Sequence, residues 1–189
     1  MTKTQIKRKP RNYINNAHMH EALVEYLKTR KASQKGKKKR ELPTIPDYLG
    51  KCFMELSRRI GTKGKFRSYS YLDEMIQDAV DNCIAQIHTY NPEKSVNAFA
   101  YFSTIIINAF IRRIKREKKM QYMRIMNRRH HLVMEELAGI AVSLEDMKNP
   151  ITNEFIREFE ASQERAKQKV VDRLQARKDG ISKFVKKEK

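Results

Sequence analysis

The 189-residue chain has no tryptophan, two cysteines, six glycines and five prolines, and its 22 acidic residues are outnumbered by 41 lysines and arginines. Each shortage excludes something. Cys52 and Cys83 both sit in stretches of helical periodicity, so they read as reduced core thiols rather than a disulfide framework or a zinc site. The glycines form no phosphate-cradling loop, because the Gly61 to Gly64 segment has neither a Lys-Ser ending nor a preceding strand. The longest apolar run, Ile105 to Ile107 with its neighbours, is far too short to cross a bilayer. The basic start, MTKTQIKRKPRNY, lacks the apolar segment of a signal peptide.

Catalytic constellations are equally scarce. His18, His20, His88, His130 and His131 meet no cysteine or carboxylate cluster at metal-ligand spacing. His18 and His20, two apart, face different sides of a helix. Glu135-Glu136 and Glu145-Asp146 are adjacent carboxylates in plain helical contexts, whereas a nuclease needs carboxylates that converge on one metal. The expectation is a protein that is not an enzyme and carries no cofactor or metal.

What the chain has is positive charge, +19 in all, gathered in blocks. Residues 1–40 hold 13 Lys/Arg against 2 acidic residues, residues 112–129 hold 9 against 1, and residues 162–189 hold 10 against 4. Such blocks attract a polyanion, since each cation that neutralises a phosphate releases a condensed counterion. An anionic membrane fits less well, because the basic helix carries no broad exposed apolar face.

Periodicity predicts an all-α protein. Asn15 or Asn16 caps a helix to about Arg30, with Leu23, Tyr26 and Leu27 inward. KASQKGKKKR (31–40) reads as a solvated linker. Thr44-Ile-Pro-Asp47 opens a second helix carrying Leu49, Cys52, Phe53, Leu56 and Ile60, which Gly61 and Gly64 stop. Ser70-x-x-Asp73 resembles a capping box for a third, to about Thr89, with an apolar stripe of Met75, Ile76, Ala79, Val80, Cys83 and Ile87. After Asn91-Pro92 a long helix runs from about Val96 past Lys119, with Phe99, Phe102, Ile106, Phe110 and Ile114 on one face. Ser143-x-x-Asp146 and Asn149-Pro150 mark breaks, and a last helix over about 152–178 packs Phe155, Ile156 and Phe159 before Gly180 ends it.

The third and fourth helices, Tyr71 to Lys119, carry the functional signal. The first of the pair is acidic on its exposed face. The second passes from aromatic (Phe99, Tyr101, Phe102) through aliphatic (Ile105 to Ile107) to cationic (Arg112, Arg113, Lys115, Arg116, Lys118, Lys119). Aromatics beside a basic strip can stack on unpaired bases while the cations hold phosphates. Core packing accounts for Phe99, Phe102 and Phe110; Tyr101 falls off that stripe and is the better stacking residue.

This helix pair resembles the second conserved region of bacterial sigma factors, and the chain resembles more closely the late-gene sigma factors of T-even bacteriophages. The strings that carry the likeness are NYINN (12–16), EMI (74–76), Asn97-Ala98-x-Ala100-Tyr101 and NAFIRRIKREKK (108–119). It spans about Asn12 to Arg129. The resemblance implies a compact, all-α, sigma-region-two-like domain over residues 12–129 and a basic N-terminal tail over residues 1–11. A helical extension over 130–178 and a basic tail over 179–189 follow, with the tails partly disordered.

It also implies roles. Glu74, Gln77, Asp78 and Ile84 fall where the family docks on a coiled coil of the largest subunit of host core RNA polymerase, although the family's asparagine in this patch is Val80 here. Tyr101 and Phe102 fall where family aromatics capture flipped bases of promoter DNA. The wedging tryptophan pair is replaced by Ile105-Ile106. Asn108, Arg112 and Arg113 fall at duplex contacts, to phosphate or to guanine edges, and Lys115 and Arg116 extend the DNA-binding strip. No helix-turn-helix follows Arg129, so recognition rests on a single AT-rich, minus-ten-like late promoter element.

In the phage class the C-terminus engages the replication sliding clamp and a small late co-activator takes part. In DGISKFVKKEK, Ile181, Phe184 and Val185 are the apolar candidates for that contact, lysines replace the family's acidic residues, and a basic tail touching DNA is the other reading. The expected location is the host cell cytoplasm, at the nucleoid. The alternative function is a nonspecific basic helical nucleic-acid-binding protein.

Overall fold

A computed structural model describes residues 14–34, 42–139 and 148–187, and these are helical or in turns, without strands among them. The helices are α1 (Asn16–Gln34), α2 (Asp47–Gly61), α3 (Leu72–Gln86), α4 (Ala98–Leu137) and α5 (Pro150–Lys187), with a 3-10 turn at Ile87–Thr89. All-α architecture is thus observed. The chain divides into two compact units, Met1–Ile114 and Lys115–Lys189.

In the first unit, each helix contributes the apolar stripe that its periodicity predicts. Leu23, Tyr26 and Leu27 of α1 meet Leu49, Cys52, Phe53, Leu56 and Ile60 of α2, Met75, Ala79 and Cys83 of α3, and Phe102, Ile106 and Phe110 of α4 in one core. Met19, one turn before Leu23, joins it fully buried. Aromatic contacts bind the layers: Phe53 lies 4.6 Å from Phe102, and Phe66 meets Phe110 edge-on at 5.1 Å. Such pairs add about 0.5–1.5 kcal/mol each beyond the area they bury. Ile76 and Val80 are only half-buried and line a groove, Ile76 while also packing on the edge of the core.

Helix ends follow some signals and not others. Asn15 caps α1, its Oδ1 accepting from the Ala17 and His18 N–H groups at 3.0 and 3.4 Å. Residues 31–34, expected in a linker, continue α1. Thr44 does not cap α2 and Ser70 does not cap α3: the preceding residues are Pro46 and Tyr71, and neither helix has a side-chain cap. Proline and the first-turn carboxylates Asp47, Asp73 and Glu74 start these helices through fixed φ and the macrodipole. Gly61 closes α2 in a helical conformation followed by Thr62. Its value is proximity: a Cβ there would sit 3.1 Å from the Leu72 side chain of α3.

In the second unit, α4 from Lys115 onward runs antiparallel to the start of α5. Tyr122 stacks on Phe159 at 4.7 Å and donates its hydroxyl to Glu160, while Arg129, further along α4, bonds Asn153, earlier on α5. Gly139 adopts a left-handed φ of 75° just past α4, the position where glycine costs least. Asn149 caps α5 by accepting from the Ile151 and Thr152 N–H groups. Phe155, Ile156 and Phe159 pack as predicted, and from Glu160 to Asp179 every side chain is exposed. Gly180 does not end this helix, which continues to Lys187. A helical glycine costs only about 1 kcal/mol unless the chain turns left-handed there. Residues 1–13, the remainder of the 31–40 linker and Ser143 to Asp146 lie outside the described residues.

Candidate docking and nucleic-acid surfaces

The first surface is the solvent side of α3. Glu74, Gln77, Asp81 and Ile84 are exposed at i, i+3, i+7 and i+10, a single strip along the helix. Ile84 keeps 41% of its surface in solvent, an apolar point one turn beyond Asp81. Beside it runs a groove of about 270 Å³ lined by Met54 and Arg58 of α2 and by Asp73, Ile76, Gln77, Val80 and Asp81 of α3. Asp73 and Asp81 outnumber Arg58 on the rim, and with the apolar floor they suit a partner helix that is largely basic around an apolar seam. Asp81 and Met54 were missed from sequence. Asp81 was readable from its spacing to Gln77 and Ile84; Met54 needed the packing of α2 on α3.

Asp78 departs from its expected place in that strip. It is half-buried and turned to α4, where its Oδ2 accepts from Arg113 Nη1 at 3.2 Å. One turn on, Asn82 Oδ1 accepts from Arg112 Nη2 at 2.6 Å, and Asn82 Nδ2 donates to the Asp78 carbonyl. The helical offset explains this. Asp78 lies one residue, about 100°, round the helix from Gln77.

The second surface is the outer face of α4. Tyr101, Thr104, Asn108 and Arg112 follow at i, i+3, i+7 and i+11, with Ile107 and Ile111 beside them, 38% and 40% exposed. Asn97 caps this helix through the Ala100 N–H at 3.0 Å. Asn16 of α1 grips the same end, accepting from the Phe99 N–H at 2.9 Å and donating to the Val96 carbonyl at 3.3 Å. The two asparagines at 15 and 16 thus have different jobs: one caps its own helix, the other anchors α4.

Tyr101 is half-buried. Its ring packs 5.2 Å from Tyr90 and 5.1 Å from Phe102, and its hydroxyl lies 2.6 Å from Thr89 Oγ1. Tyr90 is itself held: its hydroxyl donates to the Ser95 carbonyl and meets His20 Nδ1 at 2.8 Å, and burial pushes its pKa up. Tyr101 therefore offers one supported edge to solvent. Phe102 meets the core packing its spacing predicts and departs from the base-capturing role the resemblance implies, because it is fully buried against Phe53 and Tyr90, where no base can stack on it. Ile106 is fully buried and Ile105 is 7% exposed, so the pair standing in the tryptophan positions belongs to the core.

Residues 56–120 match the family model of Sigma-70 region 2, a span that includes all of α3 and the outer face of α4 just described. The matched segment is about a third of the chain, and it is this segment that is similar to a sigma factor. A region 2 points to a sigma-factor-like role in promoter recognition and RNA polymerase binding. No curated protein matches the chain.

Of the remaining candidates, two lie at the end of the matched span and three beyond it. Lys115 and Arg116 are exposed on α4 within the second unit. The side chains of Ile181, Phe184 and Val185 lie outside the described residues. Among the described residues, no helix is long and apolar enough to cross a membrane.

Proposed function

We propose that this protein is a phage late-transcription sigma factor, a non-catalytic subunit that joins host core RNA polymerase and directs it to a single AT-rich, minus-ten-like promoter element. One observation carries the reading: a region 2 match coincides with two separate exposed strips, acidic and apolar on α3, aromatic to cationic on α4. In this reading Glu74, Gln77, Asp81 and Ile84 meet the coiled coil of the largest polymerase subunit. Tyr101 stacks on an extruded base, and Asn108 and Arg112 contact the adjoining duplex, with Lys115 and Arg116 following the phosphates. With Ile105 and Ile106 in the core, strand separation leans on Tyr101 and on partners. Ile181, Phe184 and Val185 are the segment offered to a sliding clamp, with a late co-activator completing the assembly in the host cytoplasm.

The test is capture of core RNA polymerase by the tagged protein, wild type against the double variant Gln77→Lys, Ile84→Lys. Both positions are exposed and outside the Asp78–Arg113 contact, so the fold survives the change. Capture by wild type and its loss in the variant are the expected result. A second reading, a nonspecific nucleic-acid binder, draws on the net charge of +19 and the exposed basic stretch of α5. No capture by either form, together with equal salt-sensitive binding to all DNA, would replace the first reading with the second.

A further inference from the structure

Arg112 and Arg113 are the cations nearest the aromatic end of α4, yet both guanidiniums are engaged within the protein. Arg113 reaches Asp78 at 3.2 Å and Arg112 reaches Asn82 at 2.6 Å. The two acceptors sit four residues apart on α3, joined by the Asn82-to-Asp78 backbone bond. The arginines are neighbours on α4, so two contacts cross the same helix–helix seam side by side. The chemistry of the two contacts differs. Asp78 carries a carboxylate, and the side chains of Arg113 and Asp78 retain only 19% and 29% exposure. Asn82 is neutral, and Arg112 remains exposed.

That difference sorts the arginines. An arginine facing a carboxylate is already neutralised; a phosphate must displace that carboxylate before the DNA gives up a condensed counterion, so binding exchanges one anion for another. An arginine held by an amide keeps its full charge while the amide limits its direction. We propose that Asp78 and Asn82 are positioning residues for the nucleic-acid face: Asp78 serves as the internal counter-ion of Arg113, restraining indiscriminate DNA binding, and Asn82 aims Arg112 outward along α4. The proposal rests on the reading of α4 as a DNA-contacting helix. It assigns Asp78 to the DNA side of the molecule instead of the polymerase side.

The full chain, without polymerase, is titrated with a nonspecific duplex at several salt concentrations. Asp78→Asn keeps the shape and removes the charge. It is expected to tighten binding several-fold at low salt and to steepen the log–log salt dependence by about 0.9, the increment for one further phosphate contact. Asp78→Glu restores the carboxylate and is expected to return the slope to the wild-type value. Asp73→Asn removes a carboxylate from the same helix away from Arg113, and is expected to leave the slope unchanged. Asn82→Ala is expected to leave the slope intact while lowering preference for promoter over random DNA.

An unchanged slope for Asp78→Asn, or an equal steepening by Asp73→Asn, would overturn the counter-ion role. Melting curves of each variant show whether the fold is intact, and Asp78→Glu guards against a merely structural loss. Polymerase capture is scored separately. Its failure in wild type would sink the sigma-factor reading, while the salt slopes would still judge the Asp78–Arg113 contact.

Discussion

Replacing Tyr101 by alanine should disable promoter opening while sparing the closed complex. The ring is half-buried against Tyr90 and Phe102, with its hydroxyl 2.6 Å from Thr89 Oγ1. An aromatic–base stack is worth about 1–3 kcal/mol. At about 1.4 kcal/mol per tenfold, its loss lowers the open-to-closed ratio by roughly 5- to 150-fold. The same substitution removes two ring contacts, each worth about 0.5–1.5 kcal/mol, so a stability loss must be separated from a melting defect. Tyr101→Phe does this. It keeps both ring contacts and the stacking face, and gives up one partly solvated hydrogen bond worth about 1 kcal/mol or less. The assay is permanganate reactivity of unpaired thymines in complexes with core polymerase, on duplex and on pre-opened templates. Tyr101→Phe is expected near wild type on both. Tyr101→Ala is expected to fail on duplex and to recover partly on the pre-opened template. Opening by Tyr101→Ala within twofold of wild type would refute the stacking role.

Two further predictions concern the frame that holds the site. Asn16→Ala removes both bonds to the start of α4 and should lower unfolding free energy by about 1–2 kcal/mol, seen as a reduced denaturant midpoint with unchanged slope; an unaltered midpoint would show that Asn97 alone secures that end. The two cysteines predict a pH dependence. Burial raises the Cys83 thiol from 9.0 to about 12 and also raises Cys52. Folded thiols therefore stay protonated where unfolded ones ionise, so their contribution is intact below pH 9 and is lost as pH climbs from 9 toward 12. Urea midpoints at pH 8 and 10 measure the fall, and an aromatic disulfide reagent at pH 8 should leave both thiols unreacted until denaturant is added. Rapid labelling of the native protein would contradict the burial.

Much of this protein was legible in its sequence because it is built from helices. A helix's inner face repeats at fixed spacing, so Leu49, Cys52, Phe53, Leu56 and Ile60 announced the core side of α2, and Phe102, Ile106 and Phe110 that of α4. Uneven charge separated an acidic helix from a cationic one, and short strings pointed to the segment that the region 2 model matches. Capping signals were less reliable. Asn15 acts as expected and Asn149, read only as part of a break, caps α5, while Thr44 and Ser70 yield to proline and first-turn carboxylates.

Spacing along one helix could not say what stands opposite each side chain. Asp78 is one residue from the exposed strip, and a single step of about 100° carries it from solvent to Arg113. Phe102 sits beside Tyr101 in sequence, yet the same step puts one ring in the core and leaves the other half open. The sequence alone determined which helices form and what chemistry each displays. Tertiary packing decided which charges face solvent and which face one another, because that depends on distances between helices that no single helix contains.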